Sequence, residues 1–248
     1  MPKETGILMS GPMIKAYIAG NKSQTRRTRG LEKINIEPGD WEIQMVPAGS
    51  NKDTWVFRNK ITGHCEIIKS PYGGQGDKLW FRETFWEYGH WRVIRGDYEQ
   101  DDSWIRMISE PIIFAAEHPH KPNKISSFTE NIWRKKPGIH LFRQDVRFNP
   151  PIVSIRPERV GEITFDDAIK EGIKKEYLPT DPDGFHPPGS YGFVYSSDPT
   201  ETIKHEPQDA FKELWDSINL KRGHPYSRND WVFVLEFPKY DKPVNNQK

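Results

Sequence analysis

The sequence predicts an α+β fold, in which a small mixed β-barrel carries flanking helices and long polar insertions. Strand-like runs are short, only three segments carry helix signals, in apolar spacing or in capping residues, and polar, proline-rich stretches separate them. A doubly wound parallel sheet is disfavoured because strands and helices do not alternate regularly. We expect a single domain over residues 1–240 with insertions around 28–75, 86–136 and 178–207, followed by a disordered tail at 241–248.

The first predicted elements are a short strand and a helix near the N-terminus. Ser10 is a suitable N-cap, and Pro12 in the first turn lacks the N–H that would otherwise have no partner. Gly20 fits the left-handed residue that ends a helix. The apolar stripe at helical spacing consists of Met13, Ile14, Tyr17 and Ile18. These signals predict a helix between Ser10 and Gly20.

The remaining elements follow from apolar periodicity and turn residues. A second helix is expected from the N-cap Thr164 to Gly172, and a third carries an apolar stripe from Phe211 to Ile218. Residues 117–138 are polar, contain prolines and are predicted to form a loop. Strands are predicted over residues 41–46, 54–57, 77–86, 111–116, 152–160 and 231–237.

A polar cluster follows the first helix directly. Between Lys22 and Arg27 the chain places an amine, hydroxyls and two guanidinium groups within a few residues. On a straight strand Lys22 and Thr25 would face opposite sides, so they converge only if the chain turns there. Such a cluster suits recognition of an anion or a base, and the alternative is a solvated basic connector.

Four segments, taken in order, resemble the ASCH domain, a member of the PUA-like superfamily. Residues 20–27, Gly-Asn-Lys-Ser-Gln-Thr-Arg-Arg, are similar to its Gly-x-Lys-x-x-Thr-x-Arg signature. The later segments are similar to its Gly-Asp-x-Leu strand, its Ala-x-x-Glu-Gly helix and its closing strand, and they span 76–85, 165–172 and 231–237. The set most resembles the long ASCH proteins of bacteriophages and prophages, which also have segments like 137–141 and 214–219.

The resemblance implies a PUA-like barrel with the first helix beside a cleft. In short bacterial ASCH proteins that deacetylate N4-acetylcytidine, the catalytic groups are a lysine and a threonine of the signature and a glutamate of the later helix. These correspond to Lys22, Thr25 and Glu171 of this chain. ASCH proteins are linked to both amide hydrolysis and RNA cleavage, so the resemblance leaves an amidohydrolase and a ribonuclease open.

The chemistry of these three residue types fits such a site. A lysine removed from water has its pKa lowered and can act as a base, while a carboxylate can hold the ammonium form. A threonine hydroxyl can be a nucleophile or a hydrogen-bond donor to an oxyanion. For Glu171, the alternative is a surface carboxylate near a helix end.

Six further residues are candidates for substrate binding. Arginines can pair with phosphate or stack on a base, although many form a solvated face. Aromatic strand residues, Trp91 among them, could offer a stacking platform for a base, but such residues more often belong to a core. Arg82 and Glu83 alternate on one strand, so Glu83 is expected to point inward and pair with a cation. A lone histidine is commonly a packing residue. The six candidates are Arg26, Arg27, Trp80, Arg82, Glu83 and His140.

Composition limits the function classes. The net charge of +1 gives no general basic field for nucleic acid, so anion binding must be local. A single cysteine, Cys65, excludes an internal disulfide and suits a reducing compartment. No apolar run reaches the ~20 residues of a membrane span, and no signal peptide opens the chain. We therefore expect a cytoplasmic protein of a bacterium or infected host cell, without membrane association.

Cofactor motifs are missing from the sequence. It contains no Gly-rich phosphate loop and no Gly-x-Ser-x-Gly elbow. His64, Cys65, His118 and His120 lack a recognised metal-ligand spacing, so no metal and no other cofactor are expected.

Three function classes remain open from the sequence. The first is a module that binds RNA or a modified nucleoside or nucleotide. The second is an enzyme that processes such a ligand, as an amidohydrolase or a ribonuclease centred on Lys22. The third is a phage accessory protein that binds another protein without catalysis. The oligomeric state is not predicted.

Overall fold

The structure is a computed structural model that describes residues 2–45, 53–95, 100–108, 110–123, 131–178, 189–195 and 203–241. Its class is α+β, with most of the regular structure in strands and few helices, as predicted. Within the described ranges no helix is both long and apolar enough to cross a bilayer.

Three α-helices and fourteen strands are described. The helices are α1 (Gly11–Ile18), α2 (Phe165–Lys170) and α3 (Pro207–Asn219). The strands are β1 (Glu4–Leu8), β2 (Gln24–Arg27), β3 (Trp41–Met45), β4 (Thr54–Asn59), β5 (Cys65–Lys69), β6 (Lys78–Arg82), β7 (Phe85–Arg95), β8 (Gln100–Arg106), β9 (Ile113–Phe114), β10 (Ile132–Lys136), β11 (Ser154–Arg159), β12 (Lys174–Tyr177), β13 (Tyr191–Val194) and β14 (Trp231–Glu236).

The strands of the described residues form five separate sheets and close into no barrel. The orders are β1-β6, β3-β4-β5, β11-β14-β2, β12-β13 and β10-β7-β8, with β9 also paired to β7. The last four sheets are antiparallel throughout. The described sheets therefore replace the predicted small barrel.

The chain divides into two compact units. Unit 1 contains residues 1–5, 16–79 and 150–248, and unit 2 contains residues 6–15 and 80–149. The single-domain organisation over 1–240 stays a prediction.

Strand β14 is the centre of unit 1, and both of its faces are covered. Val232 and Val234 belong to the cluster that α2 and α3 complete. On the other face, the Phe233 ring lies 5.4 Å from the ring of Trp55, between ring centroids. The continuous apolar run of β14 follows from this double burial, since neither face meets water.

The helices confirm the capping and periodicity predictions. The N–H of Met13 donates to Ser10 Oγ at 3.5 Å, and that of Asp167 donates to the N-cap Thr164 Oγ1 at 3.2 Å. Gly20 and Gly172 have φ values of +74° and +104°, which side-chain-bearing residues rarely adopt. Helix α3 buries the predicted stripe that starts at Phe211.

Several strand predictions were wrong in extent. The predicted strand 77–86 is interrupted after Arg82, because Glu83 turns inward to an arginine and the chain re-pairs in β7. The predicted strand 111–116 has only two strand residues. The predicted loop 117–138 contains β10, whose Arg-Lys-Lys sequence lacks apolar alternation and hides its pairing with β7. The strand 152–160 shortens to β11, and a 3₁₀ turn follows it.

The predicted insertions contain regular structure where they are described. Residues 28–75 include the sheet β3-β4-β5, and 86–136 include most of the sheet around β7. Strand β13 lies in the predicted insertion 178–207, of which 179–188 and 196–202 are outside the described residues. The predicted tail, apart from residue 241, is also outside them.

Candidate functional site: a buried ion-pair network around Lys22

Lys22 lies in the turn between α1 and β2. The backbone N–H groups of Asn21 and Lys22 both donate to the Ala16 carbonyl oxygen, at 2.9 and 3.2 Å. The next N–H, that of Ser23, donates to the Lys170 carbonyl oxygen at 2.9 Å. These bonds tie the end of one helix to the end of another, and Lys22 forms a β-bridge with Glu171. The Lys22 side chain is thereby completely removed from solvent.

Among the described residues, the Lys22 ammonium has two oxygen partners, both on Glu171. Its Nζ donates to the Glu171 carbonyl oxygen at 2.7 Å and to the carboxylate Oε2 at 2.8 Å. The carbonyl follows the last turn of α2, where helix carbonyls lack an intrahelical partner. Burial lowers the pKa of Lys22, and the Glu171 carboxylate opposes that effect. The ammonium is a poorly solvated acid next to a proton acceptor.

Arg26 joins the same carboxylate from strand β2. Its Nη1 donates to Glu171 Oε1 at 3.0 Å, while Nη2 donates to Glu158 Oε1 at 2.7 Å and to Asp167 Oδ2 at 3.2 Å. Its guanidinium carbon lies 5.5 Å from the centroid of the Phe211 ring. Burial works to lower the pKa of Arg26, but Glu171 and Glu158 outweigh it and raise that pKa.

An outer layer of charges surrounds this centre. Arg156 donates to Asp167 at 2.7 Å and to Glu158 at 3.1 Å, and Lys170 donates to Glu236 at 3.3 Å. Four cations and four carboxylates thus alternate from the buried Lys22 to the half-exposed Lys170 side chain. We call this set the ion-pair network; its members are Lys22, Arg26, Arg156, Lys170, Glu158, Asp167, Glu171 and Glu236.

Thr25 and Arg27 lie on the other face of β2. Side chains alternate along a strand, so the face of Arg26 is opposite that of Thr25 and Arg27. Thr25 is buried across from Leu235 of β14. Burial lowers the pKa of Arg27, and a nearby buried Tyr72 opposes that effect. The structure therefore joins Lys22, Arg26 and Glu171, and it separates Thr25 from Arg26.

The other four candidate residues belong to unit 2. Arg82 lies 5.1 Å from the Trp80 ring centroid and donates to the carbonyl oxygens of Gly138 and Ile139. His140 is exposed in a 3₁₀ turn.

Glu83, the remaining candidate, is a buried carboxylate of unit 2. Both of its oxygens accept from Arg147, each at 2.8 Å. Burial raises the pKa of Glu83, and Arg147 opposes that effect. Glu83 points inward and pairs with a cation as predicted, although it follows the end of β6 and does not lie on the strand.

The sequence prediction missed five members of the network. Arg156 and Glu158 are two residues apart on β11, so they share one face of the strand. Asp167 and Glu171 are four residues apart, on α2 and at its end, so they share one face of the helix. These spacings were visible signals. What the sequence did not show is that the two faces meet around one arginine.

Metal binding has no candidate group in the described part of the chain. No three His, Cys, Asp or Glu side chains of the described ranges are placed to share an ion. In the ion-pair network the carboxylates are instead bound to arginine and lysine.

Comparison with protein-family models finds no match to this chain, and comparisons with curated proteins and with solved structures find none either.

Gly172 offers a test of the packing beneath Lys22. A Cβ built there would lie 3.0 Å from Ala16 Cβ and 3.4 Å from Lys22 Cβ, and its φ is +104°. We expect Gly172→Ala to lower the free energy of unfolding by roughly 1–3 kcal/mol, because strain and crowding add. Urea denaturation measures this. Gly39→Ala is the control, since a Cβ there meets no atom within 4 Å; equal losses in both variants would contradict tight packing at Gly172.

Proposed function

We propose that this chain is an ASCH-type, PUA-like protein that binds RNA or a nucleoside and processes the ligand at the Lys22–Glu171 pair. The observation that carries the proposal is the Lys22 ammonium, fully buried and held 2.8 Å from a carboxylate that lies 149 residues away in the chain. A buried lysine with a lowered pKa beside one carboxylate has the features of an acid–base group. These two residues are also two of the three that the ASCH resemblance implies.

The reaction that suits this pair best is hydrolysis of an acylated nucleoside. Because burial lowers the pKa of Lys22, its neutral amine becomes accessible, and that amine takes a proton from the attacking hydroxyl or water as the new C–O bond forms. The tetrahedral intermediate then breaks its C–N bond, and the lysine returns the proton to the leaving nitrogen. With water as nucleophile, the products are a carboxylic acid and the free base amine. If the Thr25 hydroxyl attacks instead, an ester forms at Thr25, and water then hydrolyses it to the acid and restores the hydroxyl. Arg26 holds the Glu171 carboxylate in place through its Nη1.

The role of Thr25 is open to a direct comparison. Thr25→Ser keeps a hydroxyl and Thr25→Val removes it at nearly the same volume. If the hydroxyl is the nucleophile, only Thr25→Val loses turnover. If water is the nucleophile, both retain it, which is the result favoured by the position of Thr25 on the face opposite Arg26.

Turnover of N4-acetylcytidine and other acylated nucleosides tests the proposal. We expect Lys22→Met, which keeps the aliphatic stem, to lower kcat by about 10²–10⁴-fold because the proton carrier is gone. Lys15→Met, at an exposed lysine of α1, is the control and should retain wild-type turnover. Equal activity of Lys22→Met and wild type would overturn the site assignment, and no turnover by wild type would overturn the hydrolase.

Binding without turnover is the second candidate. It is favoured by the pairing of Lys22, whose carbonyl and carboxylate partners already satisfy the ammonium. Short single-stranded RNA retained by wild type but not by Lys22→Met, with no turnover of either RNA or nucleosides, would support it. RNA cleavage that depends on Lys22 would instead indicate a ribonuclease. A wild-type chain that neither binds nor turns over these ligands would leave the phage protein-interaction module.

A further inference from the structure

The sheet β10-β7-β8 of unit 2 carries an aromatic and cationic face that the proposed function does not use. Trp91 of β7 and Trp104 of β8 are cross-strand partners, with ring centroids 5.5 Å apart. The guanidinium of Arg134 from β10 lies 4.6 Å from the Trp91 ring centroid and 5.3 Å from that of Trp104. Trp91 remains 47% exposed, which is unusual for so large an apolar side chain. We call these three residues the tryptophan platform.

A glycine lets the platform form. A Cβ on Gly89 would clash with the Ile105 carbonyl oxygen of β8 and would lie 3.0 Å from an atom of the Trp104 ring. The indole of Trp104 therefore lies over the backbone of β7, where a side chain would displace it. The result is a ring packed against the strand beside the exposed ring of Trp91.

Strand β10 supplies the charge of this region. Arg134, Lys135 and Lys136 are consecutive, and Lys136 pairs with the buried Glu87 at 2.9 Å. Within the described ranges no carboxylate pairs with Arg134 or Lys135, and Lys135 Nζ lies 5.4 Å from the Trp86 ring centroid on the other face. Two cations over indole rings are thus left without a counter-charge from the described residues.

Buried polar atoms on the same face also lack partners. Trp104 Nε1 and Arg106 Nε are both shielded from solvent and, among the described residues, neither donates a hydrogen bond. The terminal nitrogens of Arg106 donate to Asp145. Unsatisfied buried donors are rare in folded proteins, and a ligand with acceptor oxygens is one way to satisfy them.

We propose that the tryptophan platform binds single-stranded nucleic acid, with a base stacked on Trp91 and the backbone phosphate facing Arg134. Base stacking on an aromatic ring tolerates any base, and it requires an unpaired strand because the base face must be free. Arg134, which pairs with no carboxylate of the described residues, lies beside the ring and matches the charge of the phosphate. Arg134 and Lys135 of this sheet, both without a carboxylate partner in the described part of the chain, lie together on β10, which agrees with a local contact rather than a duplex-wide field.

Fluorescence anisotropy of short labelled oligouridylate and oligothymidylate, each against full-length protein, tests the platform. We expect Trp91→Ala to weaken binding by about 10-fold or more, and Trp91→Phe to restore most of it because the ring is kept. Arg134→Ala should weaken binding and reduce the slope of log K against log salt by about 0.7, the value for one phosphate contact on a single strand. Ile108→Ala, at an exposed apolar residue of unit 2, is the matched control and should bind as wild type.

The same measurement separates this site from the Lys22 pair. The loss caused by Trp91→Ala should be the same in a Lys22→Met background, since the two residues belong to different units. The two oligonucleotides decide whether the strand is RNA, DNA or either. The alternative role for Arg134 is to prevent pairing with a second sheet, as charged residues on edge strands do. If Trp91→Ala and Arg134→Ala bind as wild type and Arg134→Ala instead promotes self-association, the platform is not a nucleic-acid site.

Discussion

Arg26→Ala is expected to lower the free energy of unfolding by about 3–5 kcal/mol. Arg26 is 3% exposed, and its guanidinium donates to Glu171, Glu158 and Asp167. Alanine would leave three carboxylates close together, with one fewer cation among them and little access to water. Removing one partner of a buried ion pair is costly for that reason, even when the intact pair contributes little net stability.

Urea denaturation with Arg156→Ala as the matched control measures this effect. Arg156 donates to Asp167 and Glu158 as well, but its side chain is 38% exposed, so water can replace it. We expect Arg156→Ala to cost about 1 kcal/mol or less, as exposed pairs do. Similar losses in the two variants would show that burial does not determine the contribution of these ion pairs.

The sequence predicted those elements whose signals are local. Thr164 and Gly172 mark the ends of α2, and the stripe from Phe211 marks the buried face of α3. The run at β14 is apolar throughout because both faces of the strand are covered. The strand could therefore be predicted without knowing which strands pair with it. The sequence did not predict strand β10, because three of its residues are charged and only the pairing with β7 makes this segment a strand. Barrel closure likewise depends on strand pairing, which no single segment encodes.

The candidate site was predictable only in part. Residue types and the ASCH resemblance singled out Lys22 and Glu171, and the structure places them in contact. Arg26 binds three carboxylates of its own chain, which its residue type did not predict, and its contact with substrate stays a prediction. Thr25 was expected beside Lys22 only if the chain turned between them. The chain does turn at Lys22, but Thr25 already lies within β2, where it faces the side opposite Arg26.

Lys22→Met is expected to cost about 3–5 kcal/mol of unfolding free energy, since Glu171 would keep its charge and lose the ammonium. The double variant Lys22→Met/Glu171→Leu removes both charges and replaces them with apolar side chains. It should be more stable than Lys22→Met alone, because Arg26 keeps Glu158 and Asp167 as partners. Urea denaturation of both single variants and the double variant gives the coupling energy, expected to be about 2 kcal/mol or more. Strictly additive losses would mean that the two side chains do not interact in solution.

The pH dependence of stability tests the state of the same lysine. Because burial lowers the pKa of Lys22, the folded protein loses this proton at a lower pH than the unfolded chain does. Between the lowered pKa and the ordinary lysine value of 10.5, the unfolded chain binds more protons, so this group makes stability rise with pH. The stability of wild type relative to Lys22→Met should therefore increase as the pH approaches 10.5. No change over that window, followed by a decrease above pH 10.5, would mean that Glu171 outweighs burial and holds Lys22 as an ammonium, which would remove it as a base and leave the pair a binding or structural one.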